Sequence, residues 1–532
     1  MLVNGKILIA KSGDKDIFLE PSMVNRHGLI AGATGTGKTV SLKVLAESFS
    51  DLGVPVFLAD AKGDLSGMPR TGEETESVLN RIDSMGLREK GFSFRSYPTV
   101  FWDVFQEKGL PLRATASEMG PLMLSRILSL NETQSDILTV LFKIADDEEL
   151  LLVDLKDLKA MIGHVTEHRS DYISRYGNMA PQSLGSILRA VIALEAEGGE
   201  LFFGEPALDI RDWIAADASG KGKINILECE KLMQNPTMYA TFMLFMLSEL
   251  YELMPEVGDL PKPKIVFFFD EAHMLFDDAP KALMTKIEQV VKLIRSKGVG
   301  IFFITQNPQD IPDGVLAQLS NKIQHALHAY TPAEQKKAKA AAMSYRANEA
   351  FDTYETLISL GTGEALISVL GTDGVPTIVE KGTVVPPQSK MGPMTGDEIT
   401  AHIKADLLYT KYAEAVDRFT AYEFLERMGM EEEELKRLEA EAKVRAKEEE
   451  KAAKEQAKAE EARRKAELKE QEKQAKQAGR AAASVAGTAG GTVGREVGNA
   501  LGQTFGGKFG KKLGGNLGAS IGRGLLSNLF KK

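Results

Sequence analysis

The chain has 532 residues, of which 43% are hydrophobic and 26% are charged, as is usual for a large globular core with additional segments. Its one cysteine, Cys229, excludes a disulfide within the chain and fits a reducing compartment. The formal net charge of −10 gives no support to nucleic-acid binding across the whole surface. Because the sequence has neither a signal peptide nor a run of about 18 apolar residues, we predict a cytoplasmic protein.

A phosphate-binding loop follows a predicted N-terminal hairpin. Residues 1–27 favour a small β hairpin, and the apolar residues 28–31 predict a short buried strand. Residues 32–39 then match the pattern G-x-x-x-x-G-K-[ST], and a helix-compatible segment follows. This strand–loop–helix order predicts a nucleoside triphosphate cradled by backbone amides at a helix N-terminus. The predicted nucleotide-binding residues are Gly32, Ala33, Thr34, Gly35, Thr36, Gly37, Lys38, Thr39 and Val40.

Two side chains of this loop have predicted roles of their own. Lys38 would reach the β- and γ-phosphates of ATP, and the hydroxyl of Thr39 would bind Mg²⁺. ATP and Mg²⁺ are therefore the expected ligands.

The segments after the loop predict an α/β core. A strong strand at 54–60 follows the loop helix, helical periodicity covers about 110–200, and a further strand occupies 223–228. Strands that alternate with helices favour a mainly parallel central sheet of the P-loop NTPase type. We assign residues 28–385 to this ATPase domain and interpret the helical stretch as an insertion between its strands.

Two acids end the most apolar strand of the chain, at 264–271. If this strand lies beside the phosphate-loop strand, Asp270 would hold Mg²⁺ through water and Glu271 would act as the base for the attacking water. His273 is interpreted as a local packing residue rather than a catalyst.

A further apolar strand is predicted at 300–305, and the polar residue Gln306 follows it directly. Gln306 would sense the γ-phosphate; the alternative is that it caps a turn. The basic residues before this strand form either a solvated face or, in a ring, a finger that reaches the neighbour's nucleotide. Arg295 is the preferred finger because a guanidinium binds phosphate in a bidentate way.

The remainder of the chain differs in composition from the core. We expect a linker with helices at 386–430 and a charged helix at 431–480, with a weak coiled coil as the alternative for the latter. Residues 481–532 contain seven basic residues and one acid, a net charge of +6 that leaves −16 for the rest. Such a segment could associate with itself or lie on a membrane surface; the alternative is a disordered tail. Glycine recurs there at 490, 494, 498, 502, 506, 510, 514, 518 and 522.

Taken together, these motifs resemble the HerA/FtsK superfamily of ring-forming ATPases, and most closely the bacterial HerA-like family typified by YjgR. The likeness covers about residues 1–385. The matching stretches are NRHGLI at 25–30, DAKGDLSG at 60–67, LIRSKGVG at 293–300, TQNP at 305–308 and LGTGEAL at 360–366.

The resemblance implies a RecA-like core, a homo-hexamer and ATP-driven movement of DNA through a central pore. Two differences from the family pattern are evident. The 27 residues before the core are too few for the N-terminal barrel with which HerA docks a nuclease, so the sequence names no nuclease partner. The family's finger arginine also corresponds in position to Lys297, which competes with the choice of Arg295.

Two functions therefore follow from the sequence. The leading one is an ATPase that translocates or remodels double-stranded DNA as a ring, similar to a helicase. The alternative is an ATPase without nucleic acid, in which nucleotide controls assembly or peripheral membrane contact through residues 481–532.

Overall fold

The computed structural model describes residues 1–276 and 281–482. The chain divides into two compact units, Met1–Glu433 and Glu434–Lys532. All nine regularly spaced glycines lie outside the described residues, so the interpretation of that segment stays a prediction.

One sheet organises the first unit. Its thirteen strands, in the described part of the chain, are β1 Leu2–Val3, β2 Lys6–Ser12, β3 Lys15–Leu19, β4 Gly28–Ala31, β5 Val56–Asp60, β6 Thr99–Asp103, β7 Leu110–Pro111, β8 Ile224–Glu228, β9 Ile265–Phe269, β10 Val299–Thr305, β11 Asn321–Gln324, β12 Glu364–Ser368 and β13 Glu380–Val384.

The α-helices connect and cover these strands. Their bounds are α1 Lys38–Asp51, α2 Glu76–Ser84, α3 Ala116–Ile127, α4 Glu132–Asp147, α5 Leu155–Glu167, α6 Arg169–Tyr176, α7 Pro181–Leu194, α8 Glu200–Phe202, α9 Pro236–Leu253, α10 Lys281–Leu293, α11 Asp313–Leu316, α12 Pro332–Met343, α13 Thr353–Ser359, α14 Gly396–Ala405, α15 Tyr409–Tyr412 and α16 Ala421–Ala482.

The strand order is β1-β2-β13-β12-β11-β4-β10-β9-β5-β8-β6-β7, with β3 paired to β2. Every neighbouring pair from β11 to β7 is parallel. The pairs that involve β12, β13 and the first three strands are antiparallel. The predicted α/β class with a mainly parallel central sheet is therefore confirmed.

The centre of the sheet is apolar on both faces. All five residues of β9 are buried, as a parallel strand covered by helices on both sides requires. Phe268 stacks on Phe302 of β10 with ring centroids 5.1 Å apart, and Phe57 of β5 stacks on Trp213 at 4.5 Å. These contacts hold the central strands in one packed layer.

The helical stretch between β7 and β8 starts with capped helices. Thr115, Asn131 and Asp154 each form a capping box at the N-terminus of α3, α4 and α5. Each box satisfies backbone amides that the first helical turn leaves without an acceptor. The buried side chains of α3–α5 and α7 join the main hydrophobic core of the unit.

The N-terminal residues belong to the same sheet. Strands β2 and β3 form an antiparallel hairpin, and Ala10 of β2 is aligned with Val384 of β13. The first residues thus extend the central sheet rather than forming a separate layer.

The last described helix, α16, is long and charged. In the second unit its described pairs include Glu450 with Lys454 and Glu461 with Lys465, at the i,i+4 spacing that supports a solvated helix. Among the described residues, none of the helices combines the length and apolar character that crossing a membrane requires.

A buried histidine joins the phosphate-loop strand to its surroundings. His27 immediately precedes β4; its Nε2 donates to the carbonyl of Val291 at 2.8 Å, and its Nδ1 accepts from the amide of Ile301 at 3.1 Å. One nitrogen donates and the other accepts, so the ring must be neutral. Burial lowers the pKa of His27 to about 4 from 6.5.

This geometry predicts a specific loss of stability in acid. The unfolded chain protonates His27 near pH 6.5 and the folded chain near pH 4, so stability falls as the pH drops between these values. At pH 5 the loss from this residue should be about 2 kcal/mol. In melting curves, His27→Gln should be less stable than the wild type at pH 7.5 but should lose less stability between pH 7.5 and 5. His328→Gln, at an exposed histidine, is the control. Parallel pH profiles for wild type and His27→Gln would contradict the assignment.

Candidate functional site

The phosphate loop connects β4 to α1, and its shape depends on glycine. Gly32 has φ of 153°, and a Cβ atom there would lie 2.5 Å from the Cβ of His325. Gly37 has φ of 118° and packs against Gly363, whose amide donates to the carbonyl of Thr36 at 3.0 Å. A side chain at Gly32 or Gly37 would therefore disturb the loop.

His325 supports this loop from behind. Its Nδ1 lies 2.9 Å from the carbonyl of Glu364, and its Nε2 lies 2.8 Å from the hydroxyl of Ser41 on α1. Burial lowers the pKa of His325 to about 4, so the ring is neutral near pH 7. It can then donate to the carbonyl and accept from the hydroxyl.

Lys38 begins α1 and turns back over the loop. Its Nζ donates to the carbonyls of Gly32 at 2.6 Å and Ala33 at 3.1 Å. Burial lowers the pKa of Lys38, while the carboxylates of Glu271 and Asp270 oppose that shift. In the described part of the chain, no side chain caps the N-terminus of α1. The first amides of this helix, which adjoin the loop, therefore have no side-chain acceptor.

The two acids follow β9, which does not lie beside the phosphate-loop strand β4 as expected, because β10 pairs between them; both strands still end at the same edge of the sheet. Burial, followed by the nearby Glu271 carboxylate, raises the pKa of Asp270 from 3.8 to about 6. Asp270 also accepts from the amide of Glu271 at 3.0 Å. Glu271 has φ of 45° and ψ of 47°, a left-handed conformation that costs a non-glycine residue roughly 1–2 kcal/mol. Such strain is often found at functional sites.

Three polar side chains surround the Glu271 carboxylate. Lys62 lies 3.6 Å away, the amide of Gln306 donates at 3.5 Å, and Nδ1 of His273 lies 3.6 Å away. All three contacts are long, so the carboxylate is approached from several sides without being held tightly.

A cavity of about 230 Å³ lies between the loop and the acids. Lys38, Thr39 and Asp270 line it together, which supplies both a cation for phosphate and oxygen donors that suit Mg²⁺. Its other lining residues are Thr34, Gly35, Gly37, Val40, Leu42, Lys62, Asp64, Leu65, Ile304 and Thr362.

A larger cavity of about 370 Å³ lies elsewhere in the first unit. It lies between the helical stretch and residues 415–423, and it mixes Lys156 and Arg418 with Glu200 and Asp417. None of its lining residues comes from the phosphate loop. The smaller cavity is therefore the candidate site, because its chemistry matches a nucleotide phosphate.

Lys62 and Thr362 are among the lining residues of this cavity to which sequence reasoning assigned no role. Lys62 follows β5 in the stretch DAKGD, and Thr362 belongs to the turn before β12 that packs on the loop. Both stretches carried the family resemblance, and that was their only signal. The strand pairing of β5 with β9 brings Lys62 to Glu271.

Arg295 lies at the other edge of the sheet in its own chain. It belongs to the turn before β10, seven residues of strand away from Gln306, and its guanidinium faces Asp259 at 3.7 Å. Seven strand residues span roughly 23 Å. Lys297 lies over the ring of Tyr251 at 5.1 Å. Neither cation can complete the cavity of its own subunit, so a finger role for either one stays a prediction.

A phosphate loop at the N-terminus of a helix, acids after a parallel strand and a polar residue after the next strand define a P-loop ATPase fold. Residues 6–512 match the family model described as Helicase HerA-like C-terminal. The chain belongs to this family.

Curated relatives are similar at low identity. One is "DNA double-strand break repair helicase HerA" of Sulfolobus acidocaldarius, 22% identical over 383 residues, which are 70% of this chain and 68% of the relative. Another is the protein of the same name from Sulfurisphaera tokodaii, 21% identical over 379 residues, which are 68% of this chain and 66% of the relative. The matches thus span about two thirds of each relative's length.

Solved structures of similar proteins are more distant. The bacterial conjugative coupling protein TrwB, in its unbound form, is 12% identical with a TM-score of 0.48, covering 73% of this chain and 91% of that chain. VirB4 of Thermoanaerobacter pseudethanolicus is 18% identical with a TM-score of 0.45, covering 70% of this chain and 96% of that chain.

Proposed function

We propose that this protein is a cytoplasmic ATPase that hydrolyses ATP and uses the energy to translocate or remodel double-stranded DNA as a ring of identical subunits. The observation that carries the ATPase half is the shared cavity, in which Lys38 and Thr39 of the phosphate loop face Asp270. Family membership and the printed names of the curated relatives support the DNA half.

The phosphate loop would hold the nucleotide. Lys38 now bonds to two loop carbonyls, and the phosphate oxygens of ATP would offer its ammonium stronger, charged acceptors. The amides at the start of α1 would donate to the same phosphates. Bound Mg²⁺ would neutralise part of the phosphate charge, with Thr39 as a direct ligand and Asp270 as a ligand through water.

Glu271 would then take a proton from the attacking water. Its carboxylate lies just beyond the cavity, with the Gln306 amide beside it at 3.5 Å. Gln306 would orient the same water or sense the terminal phosphate. In a ring, Arg295 of a neighbouring subunit is the candidate finger, with Lys297 as its competitor.

The Glu271→Gln variant tests the base. A glutamine keeps the shape of the side chain but cannot accept a proton, so ATP should still bind within a few-fold of wild-type affinity. The rate of phosphate release at saturating ATP should fall by a factor of about 100 or more. Glu20→Gln, at a glutamate paired with Lys6 away from the cavity, is the matched control. Turnover of Glu271→Gln at the wild-type rate would refute the assignment.

Stimulation by DNA tests the substrate. Double-stranded DNA should raise the ATPase rate several-fold, both in the full chain and in a chain that ends at residue 480. Raising the salt from about 50 to 200 mM should weaken the stimulation, because phosphate contacts release counterions. If neither form is stimulated and the full chain binds anionic liposomes that the truncated chain does not, the protein is a membrane-associated ATPase and the DNA proposal is wrong.

A further inference from the structure

Lys62 occupies a fixed place in the wall of the candidate site. It follows Asp60, whose buried carboxylate accepts from the amides of Lys62, Gly63 and Leu65 at 3.2, 2.9 and 2.9 Å. These bonds pin the loop after β5. The Lys62 side chain then extends into the same cavity that Lys38 lines.

The partner of Lys62 is the proposed base. Its Nζ lies 3.6 Å from Glu271, whose side chain is 13% exposed, while the Lys62 side chain is 53% exposed. A half-exposed pair at this distance contributes little to stability. Lys62 can therefore leave Glu271 for a more highly charged acceptor.

We propose that Lys62 is a second phosphate-binding cation, which leaves Glu271 and binds the terminal phosphate of a nucleoside triphosphate. This inference rests on the proposed ATPase function. The phosphate nearest to the base must be the one that water attacks, and Lys62 already lies beside the base. ADP lacks that phosphate, so Lys62 lets the site distinguish ATP from ADP. The same movement frees the Glu271 carboxylate only when ATP is bound.

This role differs from that of Lys38. Lys38 belongs to the phosphate loop and contacts the loop carbonyls, so it should serve ATP and ADP alike through the β-phosphate. Lys62 comes from another strand and approaches from the side of the acids. Its removal should therefore change the selectivity between nucleotides rather than abolish binding.

The test compares nucleotide affinities in the full-length protein. In Lys62→Met, the affinity for a non-hydrolysable ATP analogue with Mg²⁺ should fall about tenfold or more, as expected for a lost charge-assisted bond. The affinity for ADP should change by less than about twofold, because ADP lacks the phosphate that Lys62 would bind. Lys62→Arg should restore most of the ATP preference, because it keeps the positive charge.

Lys6→Met is the matched control. Lys6 pairs with Glu20 away from the cavity, and its side chain is 49% exposed, close to the value for Lys62. It should bind both nucleotides as the wild type does, and melting temperatures should show that all variants fold.

Equal losses for ATP and ADP in Lys62→Met, or no loss for either, would overturn the role of Lys62. If the wild type binds both nucleotides and hydrolyses ATP in those cases, the ATPase proposal stands and only this inference fails. If the wild type binds neither nucleotide, the proposed function and this inference both fail.

Discussion

Parallel pairing in a matched register is the constraint on which the candidate site depends. Ala31 at the end of β4 is aligned with Thr305 at the end of β10, and Ala59 of β5 is aligned with Phe269 at the end of β9. Because Phe269 is in turn aligned with Phe303 of β10, the four central strands end within two residues of one another. The segments that follow them, including the phosphate loop and the acids, must meet at one edge, as is usual for sites in open α/β sheets.

This edge of the sheet brings a basic group, Lys38, together with an acidic group, Asp270, and burial disfavours the charged form of each. Burial lowers the pKa of Lys38 and raises that of Asp270, so each group lacks the full solvation or pairing that its charge prefers. The negative charge of a triphosphate would stabilise the charged form of Lys38, and the positive charge of Mg²⁺ would stabilise the charged form of Asp270. The left-handed backbone conformation of Glu271 is locally unfavourable, and the packing of the buried strand β9 with its aromatic neighbours offsets this cost.

The strong local signals were readable in the sequence, and the tertiary ones were not. Strands β4, β9 and β10 are short apolar runs, and their predicted bounds lie within two residues of the observed ones. Strand β11, Asn321–Gln324, was missed because its end residues are polar. The burial of Asn321 is offset by tertiary bonds from its side-chain amide to the carbonyls of Met23 and His27. Lys62 and Glu271 are far apart in the chain, so only the strand order brings them together.

In the proposed function, the phosphate loop and the acids form one ATP-hydrolysing centre. The most direct measurement is the release of inorganic phosphate from Mg-ATP by the purified full chain and by Lys38→Ala under identical conditions. The wild type should release phosphate continuously and the variant at a rate at least about a hundredfold lower, because Lys38 would be the loop cation at the phosphates. Equal rates for the two proteins would show that the activity arises elsewhere and that the phosphate loop and the acids do not form the hydrolytic centre.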